Sequence, residues 1–270
     1  MSVALYTHRS CLEHDPGPGH PESPARLAAV LEALADPRFG ALARIEAPRA
    51  TRAQLARVHR GELLDEVLGD APHAGWRRLD ADTVMSPASA EAALRAAGAA
   101  CAAVDGAIAG AHRRAFCAVR PPGHHALRDA GMGFCLFGNV AIAAHHARRT
   151  RGLDRVLIVD WDVHHGNGTQ ALVERDPGIH FVSMHQWPWY PGTGAADDRG
   201  CGNVWNVPLP GGLPAARYVD ELQRAVDRAT AGFVPQLVLI FAGFRTATGG
   251  GKTDQSPASI PISRITSPTV

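Results

Sequence analysis

The segment Arg155–Gln170, RVLIVDWDVHHGNGTQ, constrains this chain more than any other. A run of Val, Leu and Ile leads directly into Asp160, Asp162 and His164, and such a run predicts a buried strand. Side chains on a strand alternate faces, so a strand that persists sends Asp160, Asp162 and His164 one way and Trp161 and Val163 the other. Two carboxylates at the end of an apolar strand are disfavoured by desolvation and mutual repulsion unless a cation lies between them. Oxygen and nitrogen donors without thiolate suit Zn²⁺, with Fe²⁺ and Co²⁺ as geometric substitutes, and the donor set does not choose among them. A polar loop entry would show the same spacing, so the motif draws its weight from its surroundings.

Those surroundings include Arg120–Ala126, RPPGHHA, directly after a predicted strand ending near Val119. Consecutive prolines and a glycine fix a non-helical turn that can present His124 and His125 to one pocket. A neutral imidazole beside a metal can take a proton from bound water and return it to a leaving amine. Paired histidines in a loop are also commonly solvated or simply hydrogen-bonded, and the pair titrates as a unit.

The rest of the chain supplies the scaffold. With 270 residues, 46% hydrophobic and 20% charged, it can bury a real core. Its 27 basic and 26 acidic side chains leave a formal charge of +1, so no global field draws in nucleic acid or an anionic membrane. Met1–His8 has neither the basic start nor the apolar core of a secretory signal, and no apolar run reaches bilayer length. Cys11, Cys101, Cys117, Cys135 and Cys201 are odd in number and contain no C-x-x-C pair, which suits reduced thiols in the cytoplasm.

Strands are predicted over Val3–Tyr6, Ala115–Val119, Arg155–Val159, Ile179–Ser183 and Leu237–Phe241. Helices are predicted over Pro24–Ala35, Ser89–Ala111, Val140–Arg149, Thr169–Glu174 and Ala215–Ala231. The alternation predicts an α/β protein with a mainly parallel sheet and ligand sites beyond the carboxyl ends of its strands. Residues 245–270, rich in Thr, Ser, Gly and Pro without a sustained period, read as a disordered tail.

Together with HPESPARL (His20–Leu27), LDADT (Leu79–Thr83), GFCLFGNVAIAA (Gly133–Ala144), SMHQWPWYPGTG (Ser183–Gly194) and NVPLPGG (Asn206–Gly212), these motifs give a chain that resembles the zinc-dependent histone deacetylase family. The resemblance is to its bacterial branch of deacetylase-like amidohydrolases and acetylpolyamine amidohydrolases, and it covers most of residues 1–244. It implies an arginase–deacetylase fold: one α/β domain with a central, mainly parallel sheet flanked by helices and a narrow tunnel to the metal. It also implies hydrolysis of an N-acetyl amide, on acetyl-lysine or an acetylpolyamine, by metal-activated water.

Carried over by position, Asp162 and His164 match two of three zinc ligands, and His124 and His125 match the acid/base dyad. Asp160 matches the carboxylate behind the first histidine, and Asn167 stands at the partner position of the second. Gly133, Phe134 and Tyr190 match the substrate tunnel. Asp160, Asp162, His164, Ser183 and Met184 match a structural monovalent-cation site, for K⁺.

The resemblance fails after Phe244. The family places its third zinc ligand, an aspartate, where this chain has Arg245, and a guanidinium cannot ligate zinc. A later Gly-Gly-Tyr segment, whose tyrosine polarises the substrate carbonyl, is absent from residues 245–270. A frameshift, a truncation, a genuine paralogue or completion by a second polypeptide each account for the break. The expected fold is therefore incomplete at the C-terminus, and the alternative to catalysis is an inactive acyl-amine binding module.

Overall fold

Alternating burial along short apolar strands builds the molecule. The computed structural model describes residues 3–243, so Arg245 and the expected tail lie outside the described residues. Two compact units form: residues 3–154 with Asn167–Leu172, and Arg155–Gly166 with residues 173–243.

The first unit is organised on β1 (Val3–Thr7), which pairs in parallel with β2 (Ala43–Glu46) and β5 (Arg114–Cys117). The period-two rule is visible in its packing. Ala4 and Tyr6 join Ala47 and Ala99, while Leu5 turns to the other face and joins Cys11, Leu27 and Ala118. Cys11, Leu27 and Ala99 come from α1 (Ser10–Glu13), α2 (Pro24–Ala33) and α5 (Ser89–Ile108), while Ala47 and Ala118 directly follow β2 and β5.

Alanine along α5 permits close approach. A Cβ at Gly98 would lie 2.0 Å from the Pro48 carbonyl oxygen, so no larger residue fits. A separate core gathers Leu55 from α3 (Arg52–Leu55), Leu63, Leu64 and Val67 from α4 (Gly61–Leu68), Ala93, Ala97 and Cys101 from α5, and Ile142 from α6 (Asn139–Arg151). The antiparallel pair β3 (Arg77–Arg78) and β4 (Val84–Met85) and most of α7 (Asn167–Val173) complete this unit.

The second unit is a four-stranded parallel sheet in the order β8-β7-β6-β9. Its strands are β6 (Val156–Asp160), β7 (Ile179–Gln186), β8 (Val204–Leu209) and β9 (Leu237–Phe241). Every residue of β6 is buried. Leu157 and Val159 pack with Val182, Met184 and Val207 against Leu222, Ala225, Val226 and Ala229 of α8 (Ala215–Thr230). Asp160 falls on the opposite face at the carboxyl end of β6, in register with Phe241 at the carboxyl end of β9 and with Ser183 inside β7. That is where open parallel sheets place ligands.

The α/β architecture with parallel strands and flanking helices follows the sequence expectation. Backbone pairing among the described residues distributes the strands over two parallel sheets, one in each unit, and the separate antiparallel pair β3–β4.

Candidate active site

In the first unit the dyad loop is clamped before it reaches its histidines. Arg120 donates from Nε and Nη2 to both carboxylate oxygens of Glu22, each at 2.5 Å, and from Nη1 to the Cys11 carbonyl at 2.6 Å. Both side chains of the pair are buried. A bidentate guanidinium–carboxylate pair fixes direction as well as distance. Downstream, a Cβ at Gly123 would sit 2.7 Å from the Asn139 nitrogen and the Phe137 oxygen, so the loop can lie this close to the start of α6 only as glycine.

The clamp delivers His124 and His125, both buried, with ring centroids 3.9 Å apart. His125 Nδ1 lies 2.7 Å from Asn167 Oδ1, and the amide nitrogen of Asn167 points to the Met132 sulfur. An amide oxygen only accepts, so Nδ1 carries the proton and a neutral ring keeps its lone pair on Nε2. The start of α7 docks on the same loop: Thr169 N–H donates to the His124 carbonyl at 3.0 Å, and a Cβ at Gly168 would lie 2.4 Å from the His125 carbonyl carbon.

Gly133 and Phe134 stand beside this pair. Gly133 has φ +56°, and a Cβ there would fall 2.4 Å from His125 Cδ2. Phe134 also adopts a left-handed backbone, φ 69°, held by its N–H donating to Thr83 Oγ1 at 3.0 Å. Its ring meets the His20 ring edge-on at 4.9 Å.

In the second unit the strand stops one residue past its predicted end at Val159 and does not persist through Asp162 and His164. β6 ends at Asp160, and the convergence of the next polar residues has a different cause. Asp160 Oδ1 accepts from Asp162 N–H at 3.0 Å, and Asp162 Oδ1 accepts from His164 N–H at 2.8 Å. These two-residue side-chain-to-backbone bonds are local competitors of the strand ladder. They fold Asp162 and His164 together, with His164 Nδ1 2.9 Å from Asp162 Oδ1. All three side chains are buried.

Ser183 and Met184 are buried on the neighbouring strand, and Ser183 Oγ accepts from Gly166 N–H at 3.3 Å. The edges of Trp189 and Tyr190 surround the His164 ring, at 5.6 and 5.8 Å. Burial, reinforced by the negative charges of Asp160 and Asp162, pushes the Tyr218 hydroxyl up in pKa. Its proton is donated to the Trp161 carbonyl at 3.0 Å.

Asp162 and His164 fit zinc in kind. They offer one oxygen and one nitrogen, and their 2.9 Å separation approaches the roughly 3.3 Å between two tetrahedral ligand atoms bound at about 2 Å. They do not fit it in number. Among the described residues no group of three or more His, Cys, Asp or Glu side chains is placed to hold a metal ion. The described residues therefore do not complete a zinc centre.

Other determinants carry no sequence signature. His59 N–H at Nδ1 donates to the Leu127 carbonyl at 2.9 Å, and its Nε2 accepts from Gly138 N–H at 2.9 Å. It thus ties the exit of the dyad loop to the start of α6. Burial lowers its pKa from 6.5 to about 4. Cys135 accepts from His125 N–H at 3.4 Å. A Cβ at Gly243, just after β9, would lie 1.6 Å from Asp162 Oδ2, so only glycine leaves room for that carboxylate.

Comparison with known proteins agrees with the class of fold. Residues 20–256 match the histone deacetylase domain, and the chain belongs to that family. It is 39% identical over 273 residues to the histone deacetylase-like amidohydrolase of Pseudomonas aeruginosa, covering 90% of this chain and 70% of the relative. It is 39% identical over 245 residues to polyamine deacetylase HDAC10 of Homo sapiens, covering 84% of this chain but 36% of that protein. The solved structure of the HDA15 HD domain superposes with a TM-score of 0.86 at 37% identity, covering 90% of this chain and 73% of the other. No helix among the described residues is long and apolar enough to cross a membrane.

Proposed function

We propose that this chain binds N-acetylated amines, acetyl-lysine or an acetylpolyamine, and carries the hydrolytic chemistry of its family with a metal centre short of donors. The observation that carries the reading is the His125–Asn167 bond at 2.7 Å, which holds a buried imidazole in one tautomer next to a second imidazole. His125 Nε2 is then the base that accepts a proton from water, and the resulting imidazolium returns it to the departing amine. Asn167 orients that ring without adding charge, so it stabilises the imidazolium less than a carboxylate would. Gly133 and Phe134 are assigned to the acyl chain beside the dyad, and Tyr190 to the surroundings of His164.

Asp162 and His164 are the residues that would hold zinc, whose bound charge makes water more acidic and polarises an amide carbonyl. Asp160 is assigned, with Asp162, His164, Ser183 and Met184, to a structural K⁺. The cytoplasmic assignment rests on five free cysteines in a chain whose family chemistry does not need them oxidised.

Arg245, standing where the family has an aspartate, favours binding over turnover in this chain. Zinc titration calorimetry and an acetyl-lysine deacetylation assay, on the chain and on Arg245→Asp, test the reading. Weak zinc binding that strengthens in Arg245→Asp is expected. Tight stoichiometric zinc and ordinary turnover by the unaltered chain would refute the incomplete centre. Failure to bind any acetylated amine would refute the family chemistry.

A further inference from the structure

The first unit contains a cavity of about 360 Å³ whose walls include Pro16, Pro18, His20, Arg78, Asp82 and Phe134. Phe134 is the acyl-chain wall proposed above, so the cavity adjoins the place where an acetyl-lysine stem would run. Its apolar surface comes from proline rings and the His20–Phe134 edge contact. What sets it apart is its charge.

Strand β3 consists of two arginines, and successive residues of a strand face opposite ways. Arg77 is neutralised: Nη2 lies 3.1 Å from Glu66 Oε1 and Nη1 3.6 Å from Asp70 Oδ2. Arg78, exposed and on the cavity wall, donates from Nη1 to the Ala81 carbonyl at 3.1 Å, and among the described residues no carboxylate lies within 4.0 Å of it. Four of its five N–H groups are left for a ligand.

The one carboxylate on the wall is engaged locally. Asp82 accepts from the Thr83 hydroxyl at 3.3 Å and from Gly133 N–H, and shares a hydrogen bond with Asp80. Burial, with the hydrogen bond to Asp80 and its charge, pushes the Asp82 pKa up. An acetylpolyamine brings one or more ammonium groups to this wall and finds a free guanidinium. A carboxylate finds a fork with matching geometry.

We propose that Arg78 selects the carrier of the acetyl group: the cavity takes Nε-acetyl-lysine bearing a carboxylate within reach of the guanidinium and disfavours free acetylpolyamines. This rests on the acyl-amine reading above and narrows its substrate class. The carboxylate can come from the α-carboxyl of a terminal acetyl-lysine or from an acidic side chain next to an internal one. The guanidinium recognises the same chemistry in both.

Binding measured by titration calorimetry on the full chain at low salt tests this without requiring turnover. One ligand pair is Nα-blocked Nε-acetyl-lysine as free acid and as methylamide. A second is a capped peptide with Glu or Gln beside acetyl-lysine, and N-acetylspermidine is the fifth ligand.

The acid member of at least one pair should bind about fivefold tighter than its neutral twin, the attraction of unit charges near 4 Å in bulk water. The pair showing the difference identifies the source. The preference should fall as salt rises, vanish in Arg78→Gln, persist in Arg78→Lys, and be unchanged in Arg77→Gln, which loses the same charge from the other face. Equal binding within both pairs, a preference surviving Arg78→Gln, or N-acetylspermidine binding tighter than the neutral peptide would overturn selection by Arg78 while leaving the acyl-amine reading intact. Absence of binding by every ligand would overturn both.

Discussion

His59 should make the fold acid-sensitive in a way that a single substitution removes. Its ring donates from Nδ1 and accepts at Nε2, an arrangement available only to the neutral imidazole, because an imidazolium would face the Gly138 N–H with a second proton. Burial lowers its pKa from 6.5 to about 4, so the unfolded chain binds a proton there before the folded one does. The stability contributed is complete above pH 6.5 and is lost as pH falls from 6.5 towards 4. At about 1.4 kcal/mol per pH unit, the loss over that window is about 3 kcal/mol. His14 is lowered to about 4 by burial as well and titrates in the same window, so the absolute curve does not isolate His59. Comparison with His59→Gln does, since an amide can both donate and accept without titrating. Urea unfolding at steps from pH 7 to 4 should show the variant about 1 kcal/mol less stable at pH 7, from imperfect hydrogen bonds, and overtaking the parent by pH 4. Parallel loss of stability by the two proteins across the window would refute the reasoning.

Glu22→Gln should destabilise the fold by about 3–5 kcal/mol in urea, because Arg120 is left buried without its counter-charge; a loss below about 1 kcal/mol would contradict the clamp. Gly133→Ala drives a Cβ to within 2.4 Å of His125 Cδ2 at φ +56° and should weaken acetyl-lysine binding at least tenfold by calorimetry, at a stability cost of about 1–2 kcal/mol. Gly243→Ala should lower zinc affinity at least tenfold by displacing Asp162, whose Oδ2 lies 1.6 Å from the new Cβ, while the far-ultraviolet circular dichroism stays that of the parent.

Much of the fold could be read from apolar runs. β1, β5, β6, β7 and β9 all fall on predicted strands, and α2, α5, α6, α7 and α8 on predicted helices, with ends shifted by a few residues. Of the elements left unread, α4 carries that signal in Leu63, Leu64 and Val67, whereas β2, β8 and α3 lack it. β2, Ala43–Glu46, is an edge strand exposed at three of its four positions, so its sequence is shaped by solvent more than by packing. β8 carries Asn206 and Pro208 and reads as a loop, but it too lies at a sheet edge, where proline's missing N–H removes no inner ladder bond. The four residues of α3 are held by a capping box between Thr51 and Gln54 and are too short to show a period.

The site was legible where chemistry needs particular side chains and illegible where it needs only backbone. Asp162 and His164 come together as the motif suggested, yet by side-chain bonds to the next residues and not by strand alternation. A two-residue spacing satisfies both mechanisms, so spacing alone could not distinguish them. His59 grips main-chain atoms 68 and 79 residues away, and any residue type at Leu127 or Gly138 offers the same carbonyl or N–H. Nothing in the local sequence marks such a partner. Gly243 is the converse case: what matters is the missing Cβ, which leaves space for Asp162. A glycine after a strand is too common to be read as part of a metal centre.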